Sequence, residues 1–197
     1  MNKYDLHLGD CLEFMRSMPD KSVDAVITDP PYGIGISANP FRQKFEKQEW
    51  DNAPMSDEAL SEIMRVSRSQ VIWGGNYFNL PPTQCFYVWD KKQPQDFSSS
   101  MCEMAWTSFK SPAKIYRKHV VSIEKFHPTT KPTDLMLWCI ELSGARTIFD
   151  PFMGSGTTGV ACMQLGRNFI GCEIDPNYYA IAERRIKQAA MQEVMFT

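Results

Sequence analysis

The sequence lacks the residues that define several protein classes. It has only three histidines, and its six cysteines contain no Cys-x-x-Cys pair, so we expect neither a metal site nor a disulfide framework. The longest nearly continuous apolar stretch, residues 135–140, is far too short to cross a bilayer. The first residues show no apolar segment typical of a secretory signal, which favours a cytoplasmic protein with reduced thiols.

An excess of positive charge is also missing. The chain has 21 basic and 23 acidic residues and a net charge of −2, so bulk charge would not hold it on nucleic acid, although a local basic patch would. Hydrophobic residues make up 43% of the 197 positions, which excludes a wholly disordered chain. This length predicts one domain, residues 1–197.

Short β-type runs alternate with helical segments, which predicts an α/β fold with a seven-stranded, mostly parallel sheet and helices on both faces. The predicted strands are residues 4–8, 23–28, 70–73, 85–89, 103–109, 147–150 and 169–172, with further strand-like character at 113–117. The predicted helices are residues 10–18, 57–68, 132–143, 156–165 and one that starts at Asp175. Two irregular segments, 33–54 and 110–127, interrupt this alternation, and such segments are often functional.

A glycine-rich turn follows the strand predicted at 147–150. Gly154, Gly156 and Gly159 match the pattern G-x-G-x-x-G between a strand and a helix, and Glu173 follows on the next strand. This arrangement lets the backbone approach a nucleoside-bearing ligand, and the carboxylate can accept hydrogen bonds from ribose hydroxyls. The turn alone does not identify the ligand. It also fits a dinucleotide, as in a nicotinamide-dependent oxidoreductase, and it fits a tight turn that binds no ligand.

Two consecutive prolines follow the strand predicted at 23–28, in the sequence Asp29-Pro30-Pro31-Tyr32. Neither proline can donate a ladder hydrogen bond, so the strand stops at this point. The Asp29 carboxylate and the Pro30 carbonyl could accept both hydrogens of a planar amine while the Tyr32 ring stacks on the attached base. The same residues also fit an ordinary turn anchored by Tyr32.

Together the two motifs resemble the S-adenosylmethionine-dependent DNA amino-methyltransferases. The resemblance is to the N6-adenine and N4-cytosine group with the permuted, β-type motif order, in which the Asp-Pro-Pro-Tyr motif precedes the glycine loop. Segments 7–11, 127–132, 166–173 and 179–185 also fit this family. The resemblance implies a Rossmann-like methyltransferase fold, S-adenosylmethionine as cofactor, double-stranded DNA as partner, no metal, and a cytoplasmic protein encoded by a bacterium or phage.

The resemblance also implies a role for individual residues. The catalytic group that grips and stacks on the target base is Asp29, Pro30, Pro31 and Tyr32. The cofactor-binding group is Asp10, Cys11, Lys131, Asp150, Phe152, Gly154, Ser155, Gly156, Thr157 and Glu173. Within this group Glu173 is expected at the ribose hydroxyls, Asp10 and Cys11 beside the adenine ring, and Lys131 near the methionine carboxylate.

The implied reaction is a direct transfer to an exocyclic amine. No cysteine follows a proline in this chain, which disfavours the Pro-Cys nucleophile of enzymes that methylate C5 of cytosine. A stacked base could not reach the site, so we expect it to be flipped out of the duplex. Asp at position 29 is typical of the N6-adenine members, whereas Ser is more common among N4-cytosine members, so adenine is the expected target.

Contacts to DNA are expected from basic residues in the two irregular segments. The candidates are Lys114, Arg117 and Lys118, together with Arg42 and Lys44. The run 114–118 also fits a solvated charged edge. A homodimer would be in keeping with the β-type relatives. The alternatives are an N4-cytosine or RNA amino-methyltransferase and a nucleic-acid-binding module without catalysis.

Overall fold

The computed structural model describes residues 3–33, 53–94, 100–119 and 131–196. The strands are β1 (Tyr4–Leu8), β2 (Val23–Thr28), β3 (Ser67–Trp73), β4 (Phe86–Asp90), β5 (Cys102–Thr107), β6 (Lys114–Arg117), β7 (Thr147–Asp150) and β8 (Asn168–Glu173). The helices are α1 (Cys11–Ser17), α2 (Asp57–Val66), α3 (Thr133–Ser143), α4 (Thr157–Gln164) and α5 (Pro176–Phe196), with a 3₁₀ turn at Gly75–Tyr77.

These strands form one sheet in the order β1-β8-β7-β2-β3-β5-β4-β6. Every neighbouring pair is parallel except β3 with β5 and β5 with β4, so β5 alone of the described strands runs in the opposite direction. The carboxyl ends of the other strands therefore meet at one edge of the sheet, and β5 begins at that edge. The expectation of a Rossmann-like, mostly parallel α/β sheet is confirmed.

The sheet has eight strands in the described residues, rather than the seven expected. The additional strand, β6, is at the edge of the sheet and pairs with β4 alone. Three of its four residues are exposed, so it lacks the hydrophobic alternation of a half-buried strand.

Helix α2 is shorter than the predicted span of 57–68. It begins after Ser56, whose hydroxyl caps the helix by accepting the Ala59 N–H at 3.1 Å. It ends at Val66, because Ser67 has extended dihedral angles and its hydroxyl donates to the Ile63 carbonyl at 2.5 Å. This hydrogen bond satisfies a carbonyl of the last turn, and β3 can start at once.

Helices cover both faces of the sheet. On β2, Ala25 and Ile27 point into a core with α3, α4 and α5, whereas Val26 points into a core with α1 and α2. This alternation follows from the two-residue period of a strand. The two cores leave the carboxyl edge of the sheet to the connecting loops, where open α/β sheets bind their ligands. Within the described residues no helix is both long and apolar enough to cross a membrane.

Candidate active site

The candidate site lies at the carboxyl edge of the sheet, where β2 and β7 are adjacent. The other neighbour of β2 is the next strand in sequence, β3, and the other neighbour of β7 is the next strand, β8. The chain therefore winds outwards in opposite directions from the two strands, and their junction is a topological switch point. The Thr28 hydroxyl at the end of β2 donates to Asp150 Oδ1 at the end of β7, with a separation of 2.7 Å. The Asp-Pro-Pro-Tyr motif and the glycine loop therefore lie side by side.

A cavity of about 200 Å³ opens between these two motifs. The predicted site residues that line it are Asp29, Pro31, Lys131, Asp150, Phe152, Gly154, Ser155, Thr157 and Glu173. Sequence reasoning missed six further lining residues, which are Met136, Met153, Thr158, Ile174, Asp175 and Tyr178. Three of these lie directly after Phe152 or Glu173, so extending each motif by one or two residues would have found them.

The Glu173 carboxylate faces this cavity and is held by the backbone. Oε2 accepts the Gly154 N–H at 2.9 Å, and Oε1 accepts the Asp175 N–H at 2.8 Å. Burial raises the pKa of Glu173 above its usual value, while the two backbone donors oppose that rise. Each oxygen keeps acceptor capacity, so the side chain is oriented to receive ligand hydroxyls.

The glycine loop is held in place by helix α5. Gly156 has a φ of +79°, and a Cβ at this position would come within 2.9 Å of Ala182, so the helix packs directly on the loop backbone. The Arg185 guanidinium donates to the Ser155 carbonyl and, at 3.1 Å, to the Ser155 hydroxyl. Arg185 therefore ties the last helix to the loop.

Asp150 lies beneath the loop with its oxygens already engaged. Oδ1 accepts from Thr28 and from the Phe152 N–H, and Oδ2 accepts the Thr158 hydroxyl at 2.7 Å. Burial raises the pKa of this carboxyl to about 6, although the two hydroxyls offset part of the effect. These contacts connect β2, β7 and α4, so Asp150 supports the loop from below.

Asp10 and Cys11 lie next to this region but do not line the cavity. The Asp10 carboxylate caps α1 by accepting the Leu12 N–H at 2.8 Å. The preceding residue, Gly9, donates its N–H to the Glu173 carbonyl at 2.9 Å, so the turn after β1 is beside the end of β8. The contact of Asp10 and Cys11 with an adenine ring stays a prediction.

Asp29 is the centre of a buried polar cluster at the end of β2. Lys131 Nζ lies 2.5 Å from its Oδ2, and the Tyr32 hydroxyl donates to its Oδ1. Burial raises the pKa of Asp29, and the Lys131 ammonium opposes that rise. Burial also disfavours the Lys131 ammonium, but the carboxylates outweigh this and raise the pKa of Lys131 well above its usual value.

Lys131 also contacts a carboxylate to which sequence reasoning assigned no role. Its Nζ lies 3.0 Å from Glu103 Oε2, and Glu103 Oε1 is 2.7 Å from Lys91 Nζ. Burial opposes ionisation of Glu103, yet these two cations lower its pKa to about 2. Glu103 reaches the active edge because β5 is antiparallel and begins there, which no local pattern in the sequence indicates.

The ring of Tyr32 is closely packed by its neighbours. A Cβ at Gly74 would come within 2.1 Å of this ring, so only glycine, here with a φ of +68°, fits beneath it. Tyr77 stacks on the ring with a centroid separation of 4.9 Å and an interplanar angle of 16°. Sequence reasoning missed Tyr77, and the adjacent Gly74-Gly75 pair at a strand end was its only signal.

The basic candidates for DNA contact are only partly described. Lys114 is exposed on β6, Arg117 Nε lies 3.5 Å from Asp90, and Lys118 Nζ lies 2.5 Å from Asp134. Arg42 and Lys44 fall outside the described residues, as do segments 34–52 and 120–130, which include residues 127–130 of the family segment 127–132.

The cavity has the chemistry expected for a nucleoside that carries an apolar group. Carboxylates of Glu173 and Asp175 offer acceptors for hydroxyls, and apolar walls from Phe152, Met153 and Ile174 offer contacts for a purine ring and a methyl group. The described part of the chain contains no group of three or more His, Cys, Asp or Glu residues that could hold a metal ion.

Comparisons with known proteins agree with this geometry. Residues 82–184 match the family model of N6 and N4 methyltransferases, described as DNA methylase. The Type II methyltransferase M2.MboI of Moraxella bovis is 27% identical over 92% of this chain and 87% of its own length.

Solved structures show the same fold. The M1.HpyAVI–SAM complex superposes with a TM-score of 0.61 at 24% identity, covering 92% of this chain and 99% of that one. The cytosine-N4-specific PvuII DNA methyltransferase gives a TM-score of 0.61 at 16% identity, covering 97% and 92%. With more than half of its residues matched by the family model, this chain belongs to the DNA methylase family of S-adenosylmethionine-dependent amino-methyltransferases.

Proposed function

We propose that this protein transfers a methyl group from S-adenosylmethionine to the N6 amine of adenine in double-stranded DNA. One observation carries the proposal: Asp29 and Pro31 line the same cavity as Gly154 and Glu173. A carboxylate able to accept amine hydrogens thus borders the space assigned to the methyl donor. When bound, S-adenosylmethionine supplies an electrophilic methyl group on a sulfonium.

The target amine donates one hydrogen to the Asp29 carboxylate and the other to a proline carbonyl. The Pro31 carbonyl already accepts the Met55 N–H at 3.1 Å, so we assign the second contact to Pro30. Accepting both hydrogens would favour a pyramidal nitrogen with its lone pair directed at the methyl group. As the N–C bond formed, the S–C bond would break and the thioether product would leave, and the surplus amine proton would depart along the hydrogen bond to Asp29. Orientation and preorganised acceptors supply the catalysis, and no covalent intermediate with the protein is needed.

Asp29 can accept the amine without losing its present partners. Lys131 and Tyr32 each use one acceptor position, whereas an ionised carboxylate has about four. Tyr77 now covers the Tyr32 ring at 4.9 Å, which leaves no room for a base between them. A flipped base that stacks on Tyr32 therefore displaces the Tyr77 ring.

The cofactor roles follow the lining of the cavity. Glu173 accepts the ribose hydroxyls, because its carboxylate is fixed by two backbone donors. Phe152, Gly154 and Thr157 would surround the methionine portion together with Gly156, and a contact of Lys131 with its carboxylate stays a prediction. Asp150 supports the loop from below. Gly156 shapes the turn against Ala182.

The choice of adenine rests on Asp29, the residue typical of N6-adenine members at this position. The second candidate is the N4 amine of cytosine, which is favoured by the fold similarity to the cytosine-N4-specific PvuII enzyme. Both amines present two hydrogens to the same acceptors, so the same mechanism serves either base.

DNA contacts are proposed for Lys114, Arg117 and Lys118 on and after the edge strand β6, and for Arg42 and Lys44. We propose a single methyltransferase domain, residues 1–197, with segments 33–54 and 110–127 as recognition segments. Replacing Lys114 and Arg117 with alanine should weaken DNA binding and reduce its salt dependence, measured by fluorescence anisotropy. Unchanged affinity and salt slope would contradict these contacts.

A homodimer stays a prediction, to be tested by sizing in solution.

The main experiment follows labelled methyl from S-adenosylmethionine into mixed-sequence DNA, followed by nucleoside digestion and mass spectrometry. Label in N6-methyldeoxyadenosine is expected. Label in N4-methyldeoxycytidine would keep the mechanism and overturn the base. No transfer to DNA of varied sequence, by protein that binds the cofactor, would overturn the proposed activity in favour of a binding module.

A further inference from the structure

Four charged side chains form a row across one face of the sheet at its active edge. Asp29 follows β2, Glu103 lies on β5 and Lys91 follows β4, while Lys131 precedes α3 on the same face. Strand β3 separates β2 from β5, and Lys131 spans this gap with its Nζ 5.8 Å from the centroid of the Trp73 ring at the end of β3. The ammonium thus reaches carboxylates on two strands that are not neighbours.

The charges in this row alternate. Lys131 Nζ is 2.5 Å from Asp29 Oδ2 and 3.0 Å from Glu103 Oε2, and Lys91 Nζ is 2.7 Å from Glu103 Oε1. The side chain of Lys131 is only 5% exposed, so it depends on both carboxylates to compensate its buried charge. Two carboxylates and two ammonium groups balance one another.

We propose that Glu103 is a positioning residue for methyl transfer, acting on Asp29 through Lys131. By sharing the ammonium, Glu103 holds Lys131 between β2 and β5, and it keeps Lys131 from pairing with Asp29 alone. The Asp29 carboxylate thereby stays oriented, with acceptor positions left for the target amine. This inference rests on the catalytic role proposed for Asp29.

The test variant is Glu103→Gln, which keeps the size of the side chain and removes its charge. Lys131 is then left with Asp29 as its only carboxylate partner among the described residues, so the competition with the target amine increases. We expect kcat to fall about tenfold or more, as for loss of a contact that acts in the transition state. Cofactor affinity should stay within about twofold, since Glu103 does not line the cavity.

The pH profile separates this role from a purely structural one. The negative charge of Glu103 raises the pKa of Asp29, so removing it lowers that pKa and moves the acid limb of activity to lower pH. Glu103→Asp, which keeps the charge but shortens the reach, should lose part of kcat and keep the wild-type acid limb. Because Glu103→Asp retains the charge, this variant still tests the role of Glu103 if the glutamine variant fails to fold.

Glu62→Gln is the matched control, because Glu62 is 18% exposed and pairs with Arg65 at 2.6 Å on helix α2, away from the cavity. It should leave kcat and the pH profile unchanged. Wild-type kcat in both Glu103 variants, or a fall in kcat without a shifted acid limb in Glu103→Gln, would overturn the inference. Asp29→Ala is measured alongside: if that variant still transfers methyl groups, the proposed role of Asp29 fails and not only that of Glu103.

Discussion

The cofactor side and the target side of the active edge are held together by different forces. We define the cofactor side as residues 150–175, where Glu173 is oriented by the backbone N–H groups of Gly154 and Asp175. The target side comprises Asp29, Tyr32, Glu103 and Lys131, and Asp29 is oriented by a tyrosine hydroxyl and a lysine ammonium. Backbone donors stay in place under any substitution other than proline and do not titrate, whereas the side-chain partners can be removed and one of them carries charge.

This difference predicts how the two sides respond to change. The cofactor side should lose affinity in steps as contacts are removed. The target side should lose the reaction itself when one charge is altered, because its groups compensate one another within a buried cluster.

The largest effect is expected from Asp29→Ala. Removing the carboxylate takes away one acceptor of the target amine, and methyl transfer should fall by about a thousandfold or more. Lys131 keeps Glu103 as a partner, so the chain should still fold, at some cost in stability, and the cofactor affinity should change little. Single-turnover transfer and calorimetric cofactor binding measure the two effects. Transfer above a tenth of the wild-type rate would show that Asp29 is not the main acceptor.

Glu173→Ala should produce the opposite pattern. Loss of the carboxylate removes the acceptor for the ribose hydroxyls and leaves the Gly154 and Asp175 N–H groups without their partner. The cofactor Kd should rise about 10- to 100-fold. At saturating cofactor, kcat should stay within about threefold of wild type. A loss of kcat at unchanged Kd would mean that the two sides are assigned the wrong way round.

Arg185→Met tests whether helix α5 stabilises the cofactor side from outside. Without the guanidinium, the Ser155 carbonyl and hydroxyl lose a shared donor, and the loop becomes less ordered. We expect the cofactor Kd to rise about three- to tenfold, measured by calorimetry. The exposed neighbour Arg184 provides the control, since Arg184→Met should leave the Kd unchanged. Equal effects of both substitutions would contradict a specific role for Arg185.

The last expectation concerns stability instead of activity or cofactor binding, and in particular its dependence on pH. The pKa of Asp150 is raised by burial from 3.8 to about 6, so the folded state binds this proton more tightly than the unfolded chain. The contribution of Asp150 to the free energy of unfolding therefore increases as pH falls from about 6 to about 4, by on the order of 2 kcal/mol. Above pH 6 this contribution is absent.

Urea unfolding of wild type and Asp150→Asn at several pH values checks this expectation. The wild type should gain stability relative to the variant on acidification through this window. A difference between the two that does not depend on pH would show that Asp150 has an ordinary pKa in the folded protein.

Sequence reasoning went furthest where structure is local. Asp150, Gly154 and Glu173 belong to one strand–turn–helix–strand unit, so their order along the chain already determines that they meet. Helix α1 was predicted over residues 10–18, and it spans Cys11–Ser17 with Asp10 as its N-cap. Edge strand β6 was harder to predict, because most of its residues are exposed. The end of α2 was also harder to predict, because it depends on the single residue Ser67.

The target side shows what the sequence by itself could not determine. It placed Asp29 and Tyr32 at a strand end, since two prolines stop any strand. It did not indicate that Glu103, Lys91 and Lys131 would join them, because these residues lie on separate segments. Only the tertiary structure decided this: the reversed direction of β5 brings its first residues to the edge where the other strands end, and burial there makes each charge depend on the next.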